Sequence, residues 1–417
     1  MDAQSAVERV ARDSYSRLIA FLAARSRDVA AAEDALADAF QTALLDWPAS
    51  GIPDKPEAWL LVTARRRLID AARHNRIRDE SVPTLLAVAD DAYDLTSSGS
   101  DFPDERLKLL FVCAHPAIDV VARTPLMLQT VLGLDAARIA SAFLVKPSTM
   151  GQRLTRAKAK IRDARIAFEV PETKELPSRL DAVLEAIYAT YGTGWDDLAG
   201  ADARRKGLAA EAITLGRLLL QLLPAEPEVK GLLALMLNCE ARRDARLDRE
   251  GNYVPLSEQD AGRWAWPLLA EAHQLLLSAE QARKIGCFQL EAAIQSVHTR
   301  RALTGTTDWE EIALLYEGLV RLAPTIGALV GRAAAVAEAR GAEMGWSLLA
   351  NVPAESVTTY QPYWALAAHL FRTLGRDDEA QHAYSRAIGL CEDPAMRKFL
   401  VHKASAGIGR RSNVAGV

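Results

Sequence analysis

Apolar residues recur at three- and four-residue intervals along almost the whole chain, and that spacing restricts it to helices. Tyr15, Leu18, Ile19 and Leu22 form one such stripe; Ala35, Leu36, Phe40, Ala43 and Leu44 form the next. One face of an α-helix repeats at this interval, whereas a half-buried strand alternates every second residue. Of the 417 residues 50% are apolar but only 6% aromatic, so the core rests mainly on Ala and Leu, which lose little entropy in a helix. The expected fold class is all-α, with room for two to four domains at roughly 100–200 residues each.

Breaker residues divide the chain. Residues 1–78 read as a first helical module. Within it Trp47-Pro48-Ala49-Ser50-Gly51-Ile52-Pro53 interrupts the helix, since two prolines and a glycine oppose it. A new helix starts near Pro56, carries Trp59, Leu60, Val62, Leu68 and Ile69, and ends in a basic run. Residues 79–103 read as a flexible acidic linker, with Asp79, Glu80, Asp90, Asp91, Asp94 and Asp101 around a Ser-Ser-Gly-Ser tract. Residues 104–168 return to helical spacing, 169–177 form a proline-containing joint, 176–404 are helical throughout, and 405–417 form a Gly/Arg/Ser tail expected to be disordered.

Several function classes are disfavoured. The first ten residues are polar and charged, unlike a signal peptide. No run approaches the ~20 apolar residues of a membrane span, so no membrane association is expected. Cys113, Cys239, Cys287 and Cys391 are scattered, which fits a reducing cytoplasm and gives neither a disulfide framework nor zinc spacing. No Gly-rich phosphate loop, HExxH or GxSxG is present. No enzyme activity, cofactor or metal is expected. The net charge of −4 does not by itself suggest nucleic acid, but local asymmetry matters more than the sum.

Three constellations carry that asymmetry. The strongest is Leu134 to Leu154, which reads as a helix-turn-helix: Ile139 and Ala140 face a core, Val145-Lys146 make the turn, and Pro147 opens the second helix, with Ser148 or Thr149 available to cap it. Ser148, Thr149, Gln152 and Arg153 offer polar groups to base edges; Arg156, Lys158 and Lys160 offer cations to phosphates. The second is the helix from Trp59 to Arg76 with its basic face, Arg65, Arg66, Arg67 and Arg73 beside Asp70, preceded by the loop holding Trp47, Ser50 and Asp54. A cationic helix after an aromatic loop suits capture of an opened strand. Trp47 and Trp59 fit either the core or base contact, and for Trp59 the spacing with Leu60 and Leu68 favours core. The third is the amphipathic segment Glu33, Asp34, Asp38, Phe40 and Gln41, which alone reads as a solvated acidic face.

The C-terminal tract contains a period. Trp364, Ala367, Ala368, Phe371, Gly375, Ala380, Tyr384 and Ala387 match the small and aromatic positions of a tetratricopeptide unit. Stepping back 34 residues from Ala368 and Gly375 gives Ala334 and Gly341, and 68 from Tyr384 gives Tyr316, with Pro324 where that repeat should stop. Small residues let helices approach while an aromatic fills the neighbouring hole. An ordinary helical bundle is the other reading.

The order of these elements resembles bacterial RNA polymerase sigma factors of the extracytoplasmic-function (ECF) type, in a subgroup with a long tetratricopeptide-like (TPR-like) extension. Phrases such as Pro56-Glu57-Ala58-Trp59-Leu60-Leu61, Leu215-Gly216-Arg217-Leu218-Leu219 and Gln289-Leu290-Glu291-Ala292-Ala293-Ile294-Gln295 are similar to those of the subgroup. Ala114 stands where the subgroup usually has Cys, and Gly331 where it has Asn. The resemblance implies that region 2 (residues 1–78) docks Glu33, Asp34, Asp38 and Gln41 on the β′ clamp helices of core RNA polymerase. It implies that Trp47, Ser50, Asp54, Arg65, Arg66, Arg67, Asp70 and Arg73 hold the opened −10 element. It implies that region 4 (residues 104–168), beside the β flap, reads the −35 element through Ser148, Thr149, Gln152, Arg153, Arg156, Lys158 and Lys160. The extension, residues 176–404, is expected to regulate or support activity and to offer a surface to a protein partner. The rival reading is a one-component helix-turn-helix regulator with a repeat sensor domain.

Overall fold

The computed structural model describes residues 2–76, 104–131, 133–143, 145–172, 174–195 and 208–405. The linker expected at 79–103 and nearly all of the tail expected at 405–417 lie outside the described residues. All regular structure among the described residues is helical, apart from one isolated bridge between Leu247 and Tyr253. The fold is all-α, and it falls into two compact units, Met1–Ile187 and Tyr188–Val417.

Three helices open the first unit: α1 (Ala3–Ser26), α2 (Val29–Ser50) and α3 (Pro56–Arg76). Asp2 and Asp28 cap the first two through side-chain oxygens that accept the N–H groups of Ser5 and Ala31. The stripe Leu18, Ile19 and Leu22 is buried, as its spacing requires, against Ala35, Leu36, Ala39 and Ala43 of α2 and Leu60, Leu61 and Ala64 of α3. Ser14 Oγ donates to Glu57 Oε1 at 3.2 Å, joining α1 to α3.

The break expected at Trp47 is displaced. Helix α2 runs through Pro48 and stops at Gly51, whose φ of 85° and N–H bond to the Trp47 carbonyl end the last turn. Pro48 lies within one turn of the helix end. The bond it forgoes would have gone to the carbonyl of exposed Leu44, which solvent can satisfy. Gly51, with no Cβ, is the true terminator.

Helices α4 (Arg106–Cys113), α5 (Val120–Thr130), α6 (Ala136–Ala142) and α7 (Pro147–Asp163) follow. They do not stand apart from the first three: α4 and α5 pack on α1, and α7 meets α2. Gly133, at φ 67°, lies against the ring of Tyr15, where an added Cβ would stand 3.2 Å from the ring. Cys113 is fully buried, its sulfur 3.5 Å from the Thr130 hydroxyl, and burial pushes its thiol up to about 12. His115 accepts the Ala117 N–H through Nδ1, which closes the turn after α4. Helix α8 (Leu176–Trp195) contains the division between the units.

The second unit comprises α9 (Leu208–Leu222), α10 (Pro227–Glu240), α11 (Trp266–Glu280), α12 (Cys287–Thr304), α13 (Trp309–Leu322), α14 (Ile326–Arg340), α15 (Ala342–Ala350), α16 (Ala354–Val357), α17 (Gln361–Thr373), α18 (Asp377–Leu390) and α19 (Pro394–Ser405). Short connections fold most helices back on their predecessors. Helix α10 is buried from Leu232 to Leu237 because α9, α11 and α12 all pack on it. Gly231 allows the closest approach: a Cβ there would stand 2.6 Å from the Gln289 backbone nitrogen. The periodic residues Ala367, Ala368, Phe371, Ala380, Tyr384 and Ala387 form one apolar cluster between α17 and α18.

Candidate nucleic-acid and polymerase interface

Helices α6 and α7 meet at a tight turn in which the Val145 N–H donates to the Ala140 carbonyl at 3.0 Å. Ile139 and Ala140 are buried beneath it. Met150, Leu154, Ala157 and Ile161 bury the inner face of α7 at helical spacing. Its other face follows by geometry: Ser148, Thr149, Gln152, Arg156 and Lys160 are exposed, and Arg153 is partly so. Ser148 and Thr149 do not cap the helix. Lys146 occupies the N-cap without a side-chain bond and Pro147 fills the first turn. Ser148 and Thr149 already lie within the first turn, past the capping position, and both are exposed at the N-terminal end.

Helix α3 divides its basic run by direction. Arg66, Arg67 and Asp70 are exposed, Arg65 is partly buried, and the side chain of Arg73 lies outside the described residues. Ser50 and Asp54 are exposed at the end of α2 and in the following loop. Trp47 departs from the expected strand-contacting set. It is 2% exposed and packs edge-on to Trp59 with ring centroids 5.5 Å apart. Because α2 continues one turn past it, Trp47 points inward as core and offers no face to a base.

The acidic set lies along α2. Asp34, Asp38 and Gln41 are exposed, and the same stripe continues to Leu45, which is 73% exposed. Glu33 lies at the edge of this stripe and is engaged within the unit. Its Oε2 stands 2.5 Å from Lys158 Nζ of α7, with side-chain exposures of 23% and 11%. Arg162 lies 4.0 Å from Asp28 beside it. Tyr15, behind Glu33 and Asp34, is stacked on Phe40 and its hydroxyl is pushed up to about 12, by burial first and then by the two carboxylates. Sequence reasoning missed the Glu33–Lys158 pair because the partners are 125 residues apart and each looked solvated on its own helix.

The second unit has a cavity of about 570 Å³ bordered by Leu256, His298, Arg301, Thr307, Trp309 and Glu338. Arg301 donates to the carbonyls of Leu256 and Gln259 at 2.8 Å each. His298 lies edge-on to Trp309, and burial, with Arg242 and Arg301 nearby, depresses it to about 4. Among the described residues no His/Cys/Asp/Glu cluster suited to a metal ion occurs. No described helix is long and apolar enough to cross a membrane.

The first unit thus places an acidic stripe on α2 and basic exposed faces on α3 and α7. Residues 10–77 match Sigma-70 region 2, which supports a sigma-factor role in transcription initiation. Residues 179–280 match a family of unknown function, DUF6596. Over 379 residues the chain is 38% identical to "Uncharacterized protein R00370" of Rhizobium meliloti (strain 1021), covering 90% of this chain and 89% of that protein. The chain belongs to the same family as that protein. No solved structure matches it.

Proposed function

We propose that the chain is an alternative sigma factor of the ECF type. It binds core RNA polymerase in the cytoplasm and directs it to promoters with defined −35 and −10 elements. The observation that carries this reading is the Sigma-70 region 2 match over residues 10–77, on the helices that present the acidic stripe of α2 and the basic face of α3. The α6–α7 pair supports assignment of residues 104–168 to region 4. Polar residues at the exposed N-terminal end of α7 face base edges, and cations further along meet phosphates.

In this reading Asp34, Asp38, Gln41 and Glu33 dock on the β′ clamp helices, and the β flap holds the segment around α6 and α7. Ser50, Asp54, Arg65, Arg66, Arg67, Asp70 and Arg73 hold the opened strand, while Trp47 supports them from the core. The acidic linker follows the polymerase's nucleic-acid path. Residues 176–404, with their TPR-like spacing at Ala334, Gly341, Ala368 and Gly375, present a surface to a protein partner that regulates or supports initiation.

The test is transcription in vitro with purified core polymerase on a randomised promoter library. Transcripts starting at fixed distances from two enriched sequence elements are expected. A chain that binds duplex DNA while neither co-purifying with core polymerase nor programming it is instead a one-component regulator.

A further inference from the structure

The Glu33–Lys158 pair joins two residues that the proposed function assigns to different partners. Glu33 belongs to the α2 stripe that meets polymerase; Lys158 belongs to the α7 flank that meets DNA phosphate. Their 2.5 Å contact is largely shielded from solvent, so salt screens it less than a surface pair. The contact is not isolated. Arg162, one turn beyond Lys158, approaches Asp28, the N-cap of α2, and α4 and α5 pack on α1. The two DNA-facing segments are therefore one body in the free chain.

From this geometry, and resting on the sigma-factor reading, we propose that the pair is an autoinhibitory latch: Glu33 and Lys158 occupy each other until a cationic surface on polymerase takes Glu33 and frees Lys158 for DNA. The layout of α2 provides the entry. Asp34, Asp38, Gln41 and Leu45 are already exposed, so a partner can dock on the stripe before it contests the one member held internally. Ser148, Thr149 and Gln152 are exposed in the latched form as well, so the latch withholds a phosphate contact and leaves the base-reading end open. Linkage then makes the effect reciprocal. Polymerase removes the cost of freeing Lys158 for DNA, and DNA removes the cost of freeing Glu33 for polymerase.

Zero-length carbodiimide coupling of the full chain reads the latch directly, because it joins a carboxylate to an amine only in contact. Peptides linked through Glu33 and Lys158 are expected from the free chain and lost once core polymerase is bound. Lys158→Gln, which leaves the α2 stripe untouched, is expected to bind core polymerase about five- to tenfold more tightly by removing the competing closed state. Lys158→Arg keeps the pair and is expected to bind core like the unaltered chain. The latch is overturned if the free chain yields no Glu33–Lys158 link. It is equally overturned if the link persists undiminished in the complex, or if Lys158→Gln binds core no more tightly than the unaltered chain. Failure of the sigma-factor reading has a different signature, in which neither the unaltered chain nor the variant forms any complex with core polymerase, and the latch falls with it.

Discussion

The ring of Tyr316 lies against the backbone of Gly331, so close that a Cβ at that position would stand 2.5 Å from two of its ring carbons. The contact joins α13 to the middle of α14, and Tyr316 packs with the apolar cluster of Ile294, Val297, Ile312 and Val336. Gly331→Ala gains helix propensity of at most about 1 kcal/mol. It also drives a methyl into a ring that burial holds in place, and overpacking of this kind costs about 1–3 kcal/mol. The net expectation is a loss of about 1–2 kcal/mol, seen as a lower denaturant midpoint for the full chain. Tyr316→Leu should relieve the clash, so the double variant should recover part of the loss. Additive losses in the two variants would count against the contact.

Glu228 performs a second joining task. Its carboxylate accepts the backbone N–H groups of Phe288 and Gln289 at 3.0 and 3.1 Å, and the Gln289 amide at 3.0 Å. Gly286 holds the N-cap of α12 without a side-chain bond, so a residue of α10 does the capping from 60 positions away. Charge-assisted bonds at a helix N-terminus are stronger than neutral ones. Glu228→Ala is expected to cost about 2–3 kcal/mol, and Glu228→Gln less, since an amide oxygen still accepts. Hydrogen exchange of the first turn of α12 is the direct readout. Unchanged protection of Phe288 and Gln289 in Glu228→Ala would sink the assignment.

Much of this architecture could be read from spacing alone, and the exceptions share a cause. The stripes at Leu18, Ile19 and Leu22, and at Ile139 and Ala140, are buried as their periods require, because a helix has only one way to hide such a stripe. The errors arose where a local rule met a tertiary fact. Pro48 forbids helix only when its missing bond matters, and one turn from a helix end it does not. Trp47 looked available because a loop was expected around it; once α2 continues, it is core. Ser148 and Thr149 have the chemistry of caps, but the helix starts at Pro147 and places them inside its first turn. The Glu33–Lys158 pair has no local signature at all, since its value lies in which helices the fold brings together.

His298 gives a pH prediction with a definite sign. Burial, with Arg242 and Arg301 adding to it, lowers its pKa from the ordinary 6.5 to about 4. The folded form therefore keeps the imidazole neutral while the unfolded chain still binds a proton. Stability from this group is intact above about pH 6.5 and falls between that value and about 4, where the folded imidazole is finally protonated. The full effect is of the order of 3 kcal/mol. His298→Phe, which keeps a ring edge-on to Trp309, should flatten the pH dependence of unfolding across that window. A variant with an acid slope as steep as the unaltered chain would place the sensitivity elsewhere.

On the proposed function, the exposed face of α7 would separate positioning from reading. Arg156 and Lys160 are exposed and lie beyond the N-terminal turn, where they would meet phosphates. A phosphate contact releases condensed counterions whatever the base sequence. Arg156→Ala is therefore expected to weaken promoter binding by the polymerase complex about equally across −35 variants. It should also lower the slope of log affinity against log salt by about one unit. Gln152 lies one turn nearer the N-terminus, beside Ser148 and Thr149, where base edges would be read in the proposed function. Gln152→Ala is expected to leave the salt slope unchanged and to relax preference at one or two −35 positions, with about 1–3 kcal/mol of discrimination lost there. Affinity measured on a −35 library at three salt concentrations checks both at once. If Arg156→Ala shifts base preference while Gln152→Ala changes only the salt slope, α7 lies in the groove with its other end towards the bases.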